Sequence, residues 1–245
     1  MNRLSFITWA AFTAMACFVQ AAAFAQSKQQ EVQVTFVNIA NGKRVVLQDS
    51  AYQNAFGEAY QLTRLRYYIS NLSLEAKQDR SAVPSIHLMD AAQDAGITLK
   101  TKAGAYETLK FTLGVDSMLN CSGAQEGALD PLNGMFWSWN SGYVFFKMEG
   151  YSAVSTADLQ RIEHHIGGYL GTHKASVNIV LHFEKPLLIA GNSQPLIEVT
   201  LDLDKYWKGK NDLTIASNAL IMKPGPLAIK SAENFAGMFS VRVVQ

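Results

Sequence analysis

Residues 130 to 143 read Asp-Pro-Leu-Asn-Gly-Met-Phe-Trp-Ser-Trp-Asn-Ser-Gly-Tyr, so two of the chain's four tryptophans, a methionine and two more aromatics fall within fourteen turn-rich positions. Asp130-Pro131 and Asn133-Gly134 favour tight turns, so the aromatic run cannot continue as one long buried strand and is expected to line a loop or sheet edge. Trp137 and Trp139 are two apart. On an extended segment they share a face and form a flat platform, with Phe136 and Ser138 opposite. Such a platform stacks on a sugar ring or packs into a core, and a buried indole then needs a partner for its N–H.

Five histidines, His87, His164, His165, His173 and His182, are the other chemistry-bearing residues. If the chain turns back near Gly171-Thr172-His173, His164 and His182 stand opposite each other across a hairpin, while His165 points to the other face. A register slip of one residue exchanges those roles. Imidazole suits Cu, Zn, Fe and Ni, whereas thioether and thiolate favour Cu(I), so histidines near Met135, Met148 or Cys121 tilt a site towards copper. The plain reading of each is a packed, hydrogen-bonded histidine, and of His173 an exposed turn residue. Cys121 reads either as a small buried hydrophobe or as a soft ligand.

Nucleophilic catalysis finds little support. There is no Gly-x-Ser-x-Gly elbow, no phosphate-cradling glycine loop and no His-Glu-x-x-His helix. Asp116, Glu126, Asp130 and Glu149 lie near the aromatics. Asp130 with Glu149 could form a glycosidase pair, although Asp130 reads more simply as a turn cap and Glu126 as a solvated surface residue.

The elements that must position these residues follow an export signal. Arg3, the apolar run Leu4 to Val19 and Ala23-Phe24-Ala25 predict a signal peptide over 1–25 and a mature chain from Gln26, hence a periplasmic or secreted protein. Acylation at Cys17 is the rival, but Cys17 lies inside the apolar run and lacks a large aliphatic residue upstream. No later segment is apolar enough to span a bilayer. Signal removal takes one base and no acid from 21 Lys+Arg and 20 Asp+Glu, leaving a formally neutral chain for which nucleic acid is not an expected partner. With Cys17 gone Cys121 stands alone, so no internal disulfide is expected. No Pro, Gly or Ser linker divides residues 26–245, which are read as a single domain.

Apolar alternation recurs at Val32, Val34 and Phe36; at Leu109, Phe111 and Leu113; at Val144, Phe146 and Met148; at Val177, Ile179, Leu181 and Phe183; and at Ile197, Val199, Leu201 and Leu203. This is the period of half-buried strands, and turn signals such as Asn41-Gly42 and Pro224-Gly225-Pro226 separate the runs. The pattern predicts an all-β fold, an antiparallel β-sandwich of Greek-key or Ig-like type with short decorating helices and long loops. Helices are expected at Asp116 to Asn120, around Leu203 to Trp207, and at Ala232 to Met238. Leu62 to Glu75 is long for a strand and predicts a bulge near Ser70-Asn71. Ser155 to His165 reads as a turn entering a strand.

The chain resembles the MbnP-like copper-binding proteins, a family of exported β-sandwich proteins associated with methanobactin and with diheme MauG-type enzymes. The resemblance rests on Tyr67-Tyr68-Ile69-Ser70-Asn71, Gly114-Val115-Asp116-Ser117, Ser122-Gly123-Ala124, the aromatic block 130 to 143, Phe145 to Gly150, His165-Ile166-Gly167-Gly168 and Asn234 to Phe239. It implies copper held by histidine and by a tryptophan oxidised to kynurenine by a partner MauG-like diheme enzyme. The tryptophan maps on Trp137 or Trp139, and the histidine of His-x-Gly-Gly on His165. Some relatives carry a second histidine beside the modified tryptophan, where this chain has Trp-Ser-Trp-Asn. His87 is then the expected second ligand and His182 the reserve, with Met135 and Cys121 as possible soft ligands. The function expected is non-catalytic copper binding in copper homeostasis. The alternative is a carbohydrate-binding module that stacks sugars on Trp137, Trp139 and Tyr143.

Overall fold

Each alternating run lies in a strand with its apolar residues buried or packed on the core, Leu203 falling just past the last of them. The computed structural model describes residues 29–49, 51–76, 85–93, 96–137, 142–191 and 194–244. The expected signal segment with Cys17, and Trp139, lie outside the described residues.

In chain order the strands begin with β1 (Gln30–Ala40), β2 (Lys43–Arg44), β3 (Ala51–Gln53), β4 (Ala59–Glu75), β5 (Ile86–Asp90), β6 (Gly96–Thr101) and β7 (Gly104–Leu113). Helix α1 (Ser117–Cys121) and two 3-10 turns, Gly127–Leu129 and Pro131–Asn133, lead into β8 (Phe136–Trp137) and β9 (Gly142–Tyr151). Then come β10 (Arg161–Gly167), β11 (Val177–Ile189), β12 (Leu196–Asp202), α2 (Asp204–Trp207), α3 (Ile215–Asn218), β13 (Leu220–Ile221), α4 (Pro226–Met238) and β14 (Phe239–Val244).

The strands form two sheets in a sandwich-like arrangement. The smaller runs β14-β12-β1-β2, with β6 also on β1; the larger runs β11-β7-β4-β9-β10-β13, with β3 and β5 on β4 and β8 on β9. Aromatic rings bind their inner faces together. Phe36 of β1 meets Phe111 of β7 edge-on at 5.9 Å, Phe239 meets Phe111 at 5.1 Å, and the Tyr67 hydroxyl donates to Asn38 Oδ1 at 2.9 Å. Edge-on geometry sets the positive ring edge on the negative face and adds to the area buried.

The pairing is mostly antiparallel, but β1 runs parallel to β12 and β10 parallel to β13. A parallel pair needs a crossover rather than a tight turn, and every strand of the large sheet except β13 lies between β1 and β12 in sequence. The expected hairpin across Gly171-Thr172-His173 does not form. A 3-10 turn is present there, yet β10 pairs with β9 and β13, and β11 crosses to the free edge of β7. Both edges of β10 are already used, while β7 offers an unpaired ladder on which Ile179 and Leu181 can be buried.

The long strand β4 bulges where expected, with a register shift between Ser70 and Ser73 and Asn71 at φ 55°. Helices occupy all three predicted places. Asp116 caps α1 by accepting from Met118 N. The last, α4, is longer than expected and is no decoration: it begins with Pro226, whose missing N–H is harmless in a first turn, and buries Ala228, Ala232, Phe235 and Met238. No helix among the described residues is long and apolar enough to cross a membrane.

Candidate metal centre

Strand β9 is the spine of the site and is buried on both faces. Val144, Phe146 and Met148 point inward, where Phe146 stacks on Tyr206 at 5.2 Å and packs on Phe235 at 5.1 Å. Alternation therefore sends Tyr143, Phe145, Lys147 and Glu149 to the outer face. Register places Arg64 of β4 opposite Glu149, Arg66 opposite Lys147, and His165 of β10 opposite Lys147 from the other side. Five polar side chains from three strands thus meet on the outer face of the sheet.

The segment 114–137 covers much of this face and is fastened by hydrogen bonds. Tyr143 N donates to Asn120 Oδ1 at 2.9 Å, and the Tyr143 hydroxyl lies 2.8 Å from the Leu129 carbonyl oxygen. The Tyr68 hydroxyl donates to Ala128 O at 2.9 Å, Arg66 Nη1 to Asn133 O at 2.8 Å, and Lys147 Nζ to Gly134 O. The last two hold the turn from which the aromatic hairpin starts.

In that hairpin β8 pairs with the first residues of β9, Phe136 opposite Tyr143 and Trp137 opposite Gly142. The Trp137 indole lies against Gly167: a Cβ added there would come within 2.8 Å of Trp137 Cζ3 and 2.5 Å of Tyr143 O. Gly168, at φ +131°, has the same constraint from His173 O at 2.2 Å. The glycines of His165-x-Gly-Gly are therefore steric necessities, since they let the aromatic hairpin and the following turn close on β10. Trp137 reaches β10 two residues, about 6.6 Å, along from His165.

His165 is 8% exposed, and its Nε2 binds Glu149 Oε1 at 2.8 Å. Arg64 Nη1 lies 2.9 Å from Glu149 Oε2, and Lys147 Nζ 3.7 Å from Oε1. The bond from His165, helped by Lys147 and Arg64 against the opposing effect of burial, holds the Glu149 carboxyl down at about 2. Burial lowers the Lys147 ammonium pKa, and Glu149 partly offsets this. Arg66 completes the network through Asp90 Oδ2 at 2.7 Å. Sequence reasoning missed this network, although Lys147 and Glu149, two apart inside an apolar strand, are a legible sign of a polar spot on one face.

The other predicted residues lie elsewhere. His87 pairs with Ile69, which sets it on the opposite face of the large sheet from His165; it is half-buried, and burial lowers its pKa. His182 is exposed on β11 opposite Thr108 of β7, which faces Glu75 at the far end of β4, whereas His165 lies beside Lys147 opposite Arg66. Neither is brought together with His165. His164, expected opposite His182, faces the core instead. Its Nδ1 lies 2.7 Å from the Tyr206 hydroxyl and its Nε2 2.6 Å from Asn218 O. Met135 is fully buried at the base of the hairpin. Cys121, read as a buried hydrophobe or ligand, is exposed at the end of α1, where its contact with the Tyr169 hydroxyl pushes that group's pKa up.

Among the described residues no group of three or more His, Cys, Asp or Glu side chains converges as a metal cage. A sugar platform does not form from Trp137 and Tyr143 either, since they are only 6% and 1% exposed. Asp130 caps the turn by accepting from Leu132 N at 2.8 Å, and Glu149 is engaged by His165 and Arg64, so both carboxylates of the expected glycosidase pair are taken up by structural contacts.

The family model described as MbnP matches residues 29–224. MbnP from Methylosinus trichosporium is a solved structure similar in fold, with 17% sequence identity and a TM-score of 0.58, covering 89% of this chain and all of that one. No curated protein matches the chain by sequence.

Proposed function

The chain belongs to the MbnP family, and on that premise we propose that it is an exported, non-catalytic copper-binding protein whose site is built by His165 and the paired aromatic strands β8 and β9 at Phe136, Trp137 and Tyr143. The observation that carries this reading is the Trp137 indole seated on Gly167, which joins a histidine and a tryptophan about thirty residues apart in sequence into one corner of the outer face.

The donor set suits a soft or borderline cation in part. His165 supplies an imidazole backed by a carboxylate, the arrangement common among metal-bound histidines. Met135 offers a thioether within the hairpin, and sulfur with imidazole favours copper. A tryptophan offers only an N–H donor, whereas kynurenine would present a ketone and an aniline nitrogen. Oxidation of Trp137 or Trp139 by a MauG-like diheme partner would therefore turn a packing residue into a ligand. Bound copper would be carried or stored rather than used for turnover, with the Glu149 carboxylate beside His165 engaged by His165 and Arg64.

Metal analysis of protein purified from its native host tests the proposal. We expect one copper per chain, its loss in H165A with the circular dichroism unchanged, and a mass shift from tryptophan to kynurenine in the peptide spanning 135–147. Metal-free wild type with unmodified tryptophans would overturn it, as would an H165A variant that unfolds while copper leaves wild-type stability unchanged.

A further inference from the structure

We propose that Glu149 is a positioning residue for His165: it ties Nε2 back to the sheet and thereby presents Nδ1 as the nitrogen for metal. The consequence for copper rests on the reading of His165 as a ligand; the orientation of the ring does not.

A carboxylate can only accept, so the 2.8 Å contact between Glu149 Oε1 and His165 Nε2 places the ring proton on Nε2. The Nδ1 lone pair is then the one available for coordination. Glu149 is itself held on both oxygens. Oε2 takes Arg64 at 2.9 Å, while Oε1 has His165 and, at 3.7 Å, Lys147, whose ammonium is fixed on Gly134 O. A carboxylate so engaged would have to break two or three charged contacts to bind metal itself, which assigns it the supporting role.

The register explains why the residue is glutamate. Glu149 faces Arg64 on one side and Glu163 on the other, while His165 faces Lys147. His165 is therefore a diagonal neighbour, with backbones roughly 7 to 8 Å apart, and a long side chain is needed to reach it. Aspartate would fall short by one methylene, whereas glutamine keeps both the reach and an acceptor oxygen.

The network also joins His165 to the hairpin. Lys147 bonds Gly134 O and Arg66 bonds Asn133 O, so the turn that launches Met135 to Trp137 is clamped to the strands that hold Glu149. Ring orientation and hairpin position are set by one group of side chains.

The test uses the full mature protein in two arms. In metal-free protein at pH 7.5, nitrogen-15 spectra of the histidine rings should show a slowly exchanging His165 Nε2–H in wild type and E149Q, and its loss in E149A and E149D. A ring proton on Nδ1 in wild type, or an unchanged Nε2–H in E149A, overturns the proposal even if copper binds. In the second arm, copper affinity should fall about 10- to 100-fold in E149A and recover in E149Q. Wild-type affinity in E149A overturns the positioning role. Failure of wild type itself to bind copper defeats the copper reading alone, and the spectra then decide the orientation. If E149A does not fold, E149D and the wild-type spectrum carry the same decision.

Discussion

His164 and His165 are neighbours on β10, and strand alternation sends them to opposite faces with opposite electrostatic fates. His165 meets a carboxylate at the outer face. His164 lies fully buried between Tyr206, Trp207 and Asn218 O, and burial pushes its pKa down to about 4 from the ordinary 6.5. Above pH 6.5 both folded and unfolded chains hold it neutral, and it adds no pH dependence. As the pH falls from 6.5 to 4, the unfolded chain takes up a proton that the fold refuses, so stability declines, by on the order of 3 kcal/mol if the whole shift is expressed. Chemical denaturation of wild type and H164Q between pH 7.5 and 4 should show the wild-type advantage shrinking over that window; a constant difference would mean that His164 titrates normally. At this scale His-x-Gly-Gly marked where β10 meets the aromatic segment, since Gly167 admits the Trp137 indole two residues from His165. The spacing of Lys147 and Glu149 marked a polar spot, but the partner of Glu149 was not legible, because the contact with His165 is a diagonal one between strands.

Among the elements, the glycines mark where strands and hairpin come closest. Gly150 lies beside the β4 bulge between Leu62 and Arg64, and a Cβ there would sit 2.0 Å from Gln61 O, a backbone atom that cannot rotate away. Gly167 also meets backbone first, the Tyr143 carbonyl oxygen at 2.5 Å, and then the Trp137 indole at 2.8 Å, so its overlap is half an ångström milder. G150A should therefore lose more than G167A, both within or above the roughly 1–3 kcal/mol typical of overpacking, and G167A should also shift the tryptophan fluorescence. Gly237 in α4 has nothing within 4 Å of an added Cβ, so G237A should be neutral or gain up to about 1 kcal/mol. Urea midpoints of the three variants check the order; equal losses at all three would refute the steric reading. The strands themselves were readable, because period-two burial is written locally. Their partners were not. The turn at Gly171–His173 looked like a hairpin tip, but which strand β11 joins is decided by the free edge of β7, far away in sequence. The bulge at Asn71 was readable from the strand's excess length together with its broken alternation.

For the whole molecule, two sheets, bound across their inner faces by Phe36, Phe111, Tyr67 and Phe239, are supported at one end by α4. Phe235 of α4 packs on Phe146 and Tyr206, directly behind the strand that carries Lys147 and Glu149. F235A should cost about 3–5 kcal/mol in denaturant unfolding and loosen the outer face through β9, whereas a loss below about 1 kcal/mol would make α4 the decoration that its sequence suggested. The sequence understated this helix because Pro224-Gly225-Pro226 reads as a turn, when Pro226 is a helix start. The sandwich as a class was legible from composition and alternation; its parallel β1 and β12 pair was not, since nothing local distinguishes a strand that pairs with its neighbour from one that waits for the end of the chain.

His165 and the aromatic residues around Trp137 are proposed to make one copper site on the outer face of the large sheet. Anomalous diffraction at the copper edge, on crystals of copper-loaded protein from the native host, tests it most directly. A single peak is expected within bonding distance of His165 Nδ1, on the side of Trp137; a peak at His87 or His182 with none at His165, or no ordered copper, would contradict the assignment.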